Sequence, residues 1–240
     1  KGLGCMAIVL HHLAFYGPMS DVVGQAWPAA IEWLISYARL AVQMFFVLAG
    51  YLVAQRLAPE GRPSESASLS MIVGRYKRLV TPFLFAVALA TLITAMVRPW
   101  FDHDSLSDKP TVLQMIAHLF LVHTLLGYES LSAGVWYVAI DFQLFAVTVA
   151  LTLLLRKSPP AWRTAFPLLI VTLSAVSLWL VNRIDAYEDF APYFFGAYGL
   201  GMLAWWSTRS SIGSIALATI TALGGIALWS EFRNPIAVAL

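Results

Sequence analysis

Charge is what this chain has least of. Asp, Glu, Lys and Arg together make up 12% of its 240 residues, hydrophobic residues make up 60%, and the mean hydropathy is +0.75. A soluble domain carries about a quarter of its residues as charges, so the composition excludes one and points to an all-α, polytopic membrane protein. The formal net charge of +2 is too small to suggest a nucleic-acid partner. Cysteine is nearly absent as well. One thiol, Cys5, excludes an internal disulfide framework and a cysteine-built zinc site. No Walker or dinucleotide glycine loop is present, and there is no internal repeat or low-complexity tract. Methionine is missing from position 1, and Lys1-Gly2 leads into apolar sequence with no cleavage-site pattern. The expectation is one integral-membrane domain over 1–240, incomplete at both ends.

What is present is apolar sequence in long runs. A helix needs roughly twenty such residues to cross a bilayer, and about seven candidate spans follow, at 2–16, 37–55, 79–97, 135–155, 164–181, 190–206 and 212–229. The 112–127 run is shorter. The longest polar stretch, 58–70 (APEGRPSESASLS), reads as a flexible loop. Lys and Arg in short loops favour the cytoplasmic side, and the loop bounded by Arg56, Arg62, Arg75, Lys77 and Arg78 is the strongest such signal. Lys1, Arg156, Lys157 and Arg209 then lie inside, while 17–36, 98–111 and the acidic 182–189 loop lie outside. This alternation holds only if 112–127, which contains His118 and His123, does not cross. It is therefore expected to be a re-entrant or interfacial segment.

Polar groups inside apolar segments are costly, so each raises a functional hypothesis. In the first span, His11 and His12 are adjacent and project about 100° apart on a helix, so only one can comfortably face a common site. A neutral imidazole with a pKa of about 6.5 suits a general base; a packing histidine bonded to a neighbour is the plainer reading. Arg75 and Arg78 share one face at a helix start, where they could clamp a phosphate-bearing cofactor or simply set the topology. Asp141 lies a few residues into an apolar span with Trp136 and Gln143 nearby, and a carboxylate there needs a cation. Arg39 or His12 could supply it. Gly50, in a helix with Gln43, is as well explained by close packing as by function.

Taken in order, these stretches resemble acyltransferase family three, integral-membrane enzymes that modify sugars of bacterial surface polymers and other extracytoplasmic acceptors. KGLGCMAIVLHHL resembles the family's opening helix, aligning His12 with its functional histidine and His11 with the preceding aromatic. VQMFFVLAGYLVA resembles the Asp/Glu-x-Phe-Phe-Val-x-Ser-Gly-Phe segment, and GRYKRLVTPF stands in the place of its Arg-x-x-Arg-hydrophobic-Tyr-Pro motif. WYVAIDFQLF is similar to Trp-Ser-Leu-x-Val-Glu-x-Gln-Phe-Tyr. In this chain Gln43 stands where an acid is common, Ala49 and Tyr137 where serine is common, and Asp141 where glutamate is usual.

The resemblance implies an O-acyltransferase of the bacterial cytoplasmic (inner) membrane. Its donor would be an acyl-CoA, with acetyl-CoA expected, bound from the cytoplasm by Arg75 and Arg78, and no metal would be required. His12 would promote attack by a hydroxyl of a carbohydrate or lipid-linked glycan acceptor, or carry the acyl group briefly. Asp141 would orient or charge-balance the site, supported by Arg39, Trp136 and Gln143. The alternative is a proton-coupled transporter or flippase, in which His12, Arg39 and Asp141 would form a relay.

Overall fold

The structure, a computed structural model, describes residues 2–101, 103 and 106–240. Lys1, expected in the cytoplasm, and positions 102, 104 and 105 of the 98–111 segment lie outside the described residues. Among the described residues there is no strand. Helices α1 (Gly2–Phe15), α2 (Met19–Ala26), α3 (Pro28–Tyr37), α4 (Ala41–Leu57), α5 (Ser70–Val97) and α6 (Val112–Leu119) are followed by α7 (Val135–Arg156), α8 (Pro160–Thr164), α9 (Phe166–Val176), α10 (Ala191–Ser207), α11 (Ser211–Ser230) and α12 (Asn234–Ala239). A short 3₁₀ turn at Ala38–Leu40 joins α3 to α4, and a π-turn at Ser177–Val181 continues α9.

Among the described residues, four helical stretches are long and apolar enough to cross a membrane: Pro28–Leu57, Ser70–Val97, Val135–Arg156 and Ser211–Ser230. The bent pair α1 and α2, turned by 94°, raises the count to at most five. The expected count of about seven is not reached, because apolar composition continues where the helix does not. Gly17-Pro18 ends the first run after a 14-residue helix of about 21 Å, short of the roughly 30 Å hydrocarbon core. The 164–181 run forms the helical stretch Phe166–Val181, which is below span length, and the 190–206 run forms a 17-residue helix. In 112–127 only α6 is helical over its eight residues, about 12 Å of rise. A full capping box starts it: the Thr111 hydroxyl accepts from Gln114 N–H, and the Gln114 side chain accepts from Thr111 N–H.

The chain forms two compact units. The first comprises residues up to Val42 together with Leu79–Ala139, and the second Gln43–Arg78 with Ile140–Leu240. In the first unit α1 and α2 pack on α3. In the second, α9, α10 and α11 pack on one another, and α10 buries most of its length. Glycines make that possible. A Cβ on Gly50 would lie 1.8 Å from the Tyr198 carbonyl oxygen, and one on Gly201 would lie 1.8 Å from the Val47 carbonyl oxygen. Gly50 therefore serves close packing between α4 and α10, the plainer of its two readings. The loop after α4 is fastened too. Trp205 and Trp206 donate their indole N–H groups to the Pro59 and Ala58 carbonyls at 3.0 and 2.6 Å, and Arg156 donates to the carbonyls of Glu65 and Ala67.

Candidate active site

The intramembrane carboxylate has a partner, and it differs from both expected ones. Asp141, in the second turn of α7, accepts from Arg75 of α5 with Nη2 2.5 Å from Oδ2, and its side chain is 10% exposed. The expectation of Arg39 or His12 is thus corrected. Which helix stands beside α7 is set by tertiary packing, which brings Arg75 of α5 to the carboxylate, while Arg39 sits exposed in the 3₁₀ turn before α4. The Arg75 guanidinium also lies 4.5 Å from the centroid of the Phe145 ring. Phe145 is four residues after Asp141, so one face of α7 offers a carboxylate and a ring to the same cation. Sequence reading missed Phe145, although the i, i+4 spacing was there to find it.

Arg75 therefore does more than mark a helix start. Charge and stacking fix it, and a planar guanidinium meets both demands as an ammonium does not. Arg78, one turn on, is exposed, and no hydrogen bond or ion pair engages it among the described residues. The two arginines differ in state: one is neutralised at Asp141, the other open to an anion. Gln143 is buried on α7 two residues beyond Asp141, and Trp136 is half-buried with its ring edge-on to Tyr137.

The histidine pair also divides. His11 is buried, and its Nδ1–H donates to the Leu34 carbonyl at 3.1 Å, tying α1 to α3. His12 is half-buried with its ring tilted against Tyr16, the centroids 5.7 Å apart, and neither of its nitrogens has a hydrogen-bond partner among the described residues. Its Cε1 lies 3.5 Å from where a Cβ of Gly134 would sit, and Gly134 has φ +81°. A side chain there would be strained by that backbone conformation, while its Cβ would meet the imidazole only at ordinary contact distance. The turn before α7 thus lies against His12, a neighbour not apparent from the sequence. His12, Arg39 and Trp136 belong to the first unit, and Arg75, Arg78, Asp141 and Gln143 to the second.

A second imidazole pair lies in the first unit. His118 and His123 are closed from solvent and stack with centroids 3.9 Å apart and planes 10° apart, against Phe83. The chain turns between them through Leu121, whose φ of 57° is rare for a residue with a side chain. His118 is held in one neutral tautomer, since Nδ1–H donates to the Gln114 carbonyl at 2.8 Å and Nε2 accepts from Leu131 N–H at 3.2 Å. His123 meets Ser130 Oγ at 3.3 Å through Nε2, and its Nδ1 has no partner. Burial and the neighbouring His118 push the His123 pKa down to about 3, and burial lowers that of His118. Both rings are thus uncharged at neutral pH and build the segment. No group of three or more His, Cys, Asp or Glu side chains suited to a metal ion occurs among the described residues.

The domain model of acyltransferase family three, described as "Acyltransferase domain", matches residues 1–239. No curated protein and no solved structure matches the chain. The match covers the whole chain, so this protein belongs to acyltransferase family three.

Proposed function

We propose, from membership of this acyltransferase family, that the chain transfers an acyl group, with acetyl expected, from a cytoplasmic acyl-CoA to a hydroxyl of an extracytoplasmic carbohydrate or lipid-linked glycan, across a bacterial inner membrane. The observation that carries the reading is the division of the histidine pair: His11 is used up in packing, while the His12 nitrogens are unengaged. In this reading His12 takes the acceptor's hydroxyl proton as that oxygen attacks the thioester carbonyl. A C–O bond forms, the C–S bond breaks, and the imidazolium returns its proton to the departing thiolate. Arg78 meets the donor's phosphates, where a guanidinium binds oxygens in pairs. Arg75, neutralised by Asp141 and stacked on Phe145, is a fixed cation of the second unit that holds Asp141 in place. Only the acyl group need cross the membrane.

The experiment is thioester turnover by the purified protein with labelled acetyl-CoA, comparing parent, His12→Ala and His11→Ala. Consumption of the thioester by the parent and by His11→Ala but not by His12→Ala supports the reading. A folded parent that binds no acetyl-CoA and turns none over would reject it in favour of a relay built on the same polar residues.

A further inference from the structure

The end of α5 remote from Ser70 carries a cleft that none of this chemistry uses. Thr94 and Arg98 of α5, the stretch containing Ser107, Asp108 and Lys109, and buried Leu131 surround about 190 Å³. That is below the roughly 300–1,000 Å³ of sites for drug-sized ligands, so it admits one small group, such as a phosphate with its nearest carbons. The charges favour an anion, because Arg98 and Lys109 face a single carboxylate, Asp108. Arg98 is preset by a hydrogen bond to the Ser107 carbonyl, which leaves other N–H groups of its fork for a ligand. No ion pair engages Lys109 or Asp108 among the described residues.

The surroundings indicate what carries the anion. The apolar stretch of α5 is only 11% buried within the protein, and Leu92, Ile93 and Met96 point outward beside the cleft. Trp100, just past the helix, is 85% exposed, as a tryptophan at a membrane interface would be. A soluble anion needs no apolar approach; a lipid does. We propose that this cleft binds the phosphate of a membrane lipid, with Arg98 and Lys109 as its ligands and the outward face of α5 against the acyl chains. Asp108 reduces the cleft to one net positive charge, which matches the single negative charge of a phosphodiester headgroup. The proposal rests on membrane embedding and needs no acyl-transfer step.

The test uses the full chain in detergent, titrated with phosphatidylglycerol, with diacylglycerol of the same chains, and with inorganic phosphate, and read by native mass spectrometry. Phosphatidylglycerol should be retained and diacylglycerol lost. Arg98→Gln and Lys109→Gln should each weaken phosphatidylglycerol retention on the order of fivefold, the attraction that one basic side chain gives to anionic lipid at close range. Asp108→Asn should not weaken it. Because Lys109 is exposed, its variant keeps the test open if the Arg98 variant folds poorly. Equal retention of diacylglycerol, inorganic phosphate bound as tightly as the lipid, or unchanged retention by Lys109→Gln would each overturn the proposal.

Discussion

The two units bury different things. In the second, α10 packs Phe194, Tyr198, Met202 and Trp206 inward, and glycines at 50 and 201 let α4 and α10 approach until a methyl group would not fit. In the first, α1 buries only His11 and Ala14 and α3 buries nothing, while Leu3, Leu13, Trp33 and Met96 face outward. Among what that unit does enclose are polar side chains, including Ser20, Thr124, His118 and His123. Lipid tails are as apolar as leucine, so a membrane protein gains little by burying leucine against itself. Close backbone contact holds such helices together, and an enclosed polar group marks either a structural bond or chemistry. In the first unit His11 and His118 show the structural kind, while half-buried His12 is the group to which the proposed function assigns chemistry.

The largest expected effect lies on that distinction. His12→Ala should lower acyl transfer by roughly 10²–10⁴-fold, whereas His11→Ala should keep transfer and lose melting temperature, since it removes the bond to Leu34 and the ring contact with Phe15. Comparable rates for the two variants in a thioester-release assay would erase the contrast. In the second unit Asp141→Asn should leave Arg75 unpaired, costing about 1–3 kcal/mol by thermal unfolding after allowing for the partial exposure of Arg75, and should sharply reduce transfer. Asp141→Glu should restore both. Arg78→Lys should raise the Kd for acetyl-CoA with unchanged melting, while Arg75→Lys should lower melting because an ammonium cannot meet Asp141 and stack on Phe145 together.

Smaller effects sharpen the packing contrast. Gly201→Ala should destabilise the second unit by roughly 1–3 kcal/mol through overpacking. Gly24→Ala in α2, where a Cβ would meet nothing within 4 Å, should be neutral or stabilising by up to about 1 kcal/mol. Equal losses of melting temperature would show that the two units pack alike. The mildest test is pH. An unfolded histidine takes up a proton near pH 6.5, but folded His123 does so only near 3. Between those values unfolding absorbs a proton, so stability should fall as pH falls, by at most roughly 1.4 kcal/mol per pH unit, with no such dependence above 6.5. His123→Phe should flatten the melting-temperature profile in that window. A parent profile already flat from pH 6.5 to 5 would mean that the stacked pair opens readily.

The sequence by itself determined the class, since 12% charge and long apolar runs leave an all-helical membrane protein as the physical solution. It also determined the family, through polar residues placed in order along apolar segments, and the 100° step of a helix led it to expect that only one of the two histidines faces a common site. It could not count the spans, because apolar composition is silent about where hydrogen bonding stops; the break at Gly17-Pro18 and the eight-residue α6 emerge only with the backbone traced. It misassigned the partner of Asp141 for a related reason. Position along a helix does not say which helix stands beside it, and that neighbour is what brings Arg75 to Asp141. Which histidine is spent on packing, and that the other lies against Gly134, depend on residues 23 and 122 positions away in the chain. Only the tertiary structure brings those residues within bonding or contact distance, and so only it decides them.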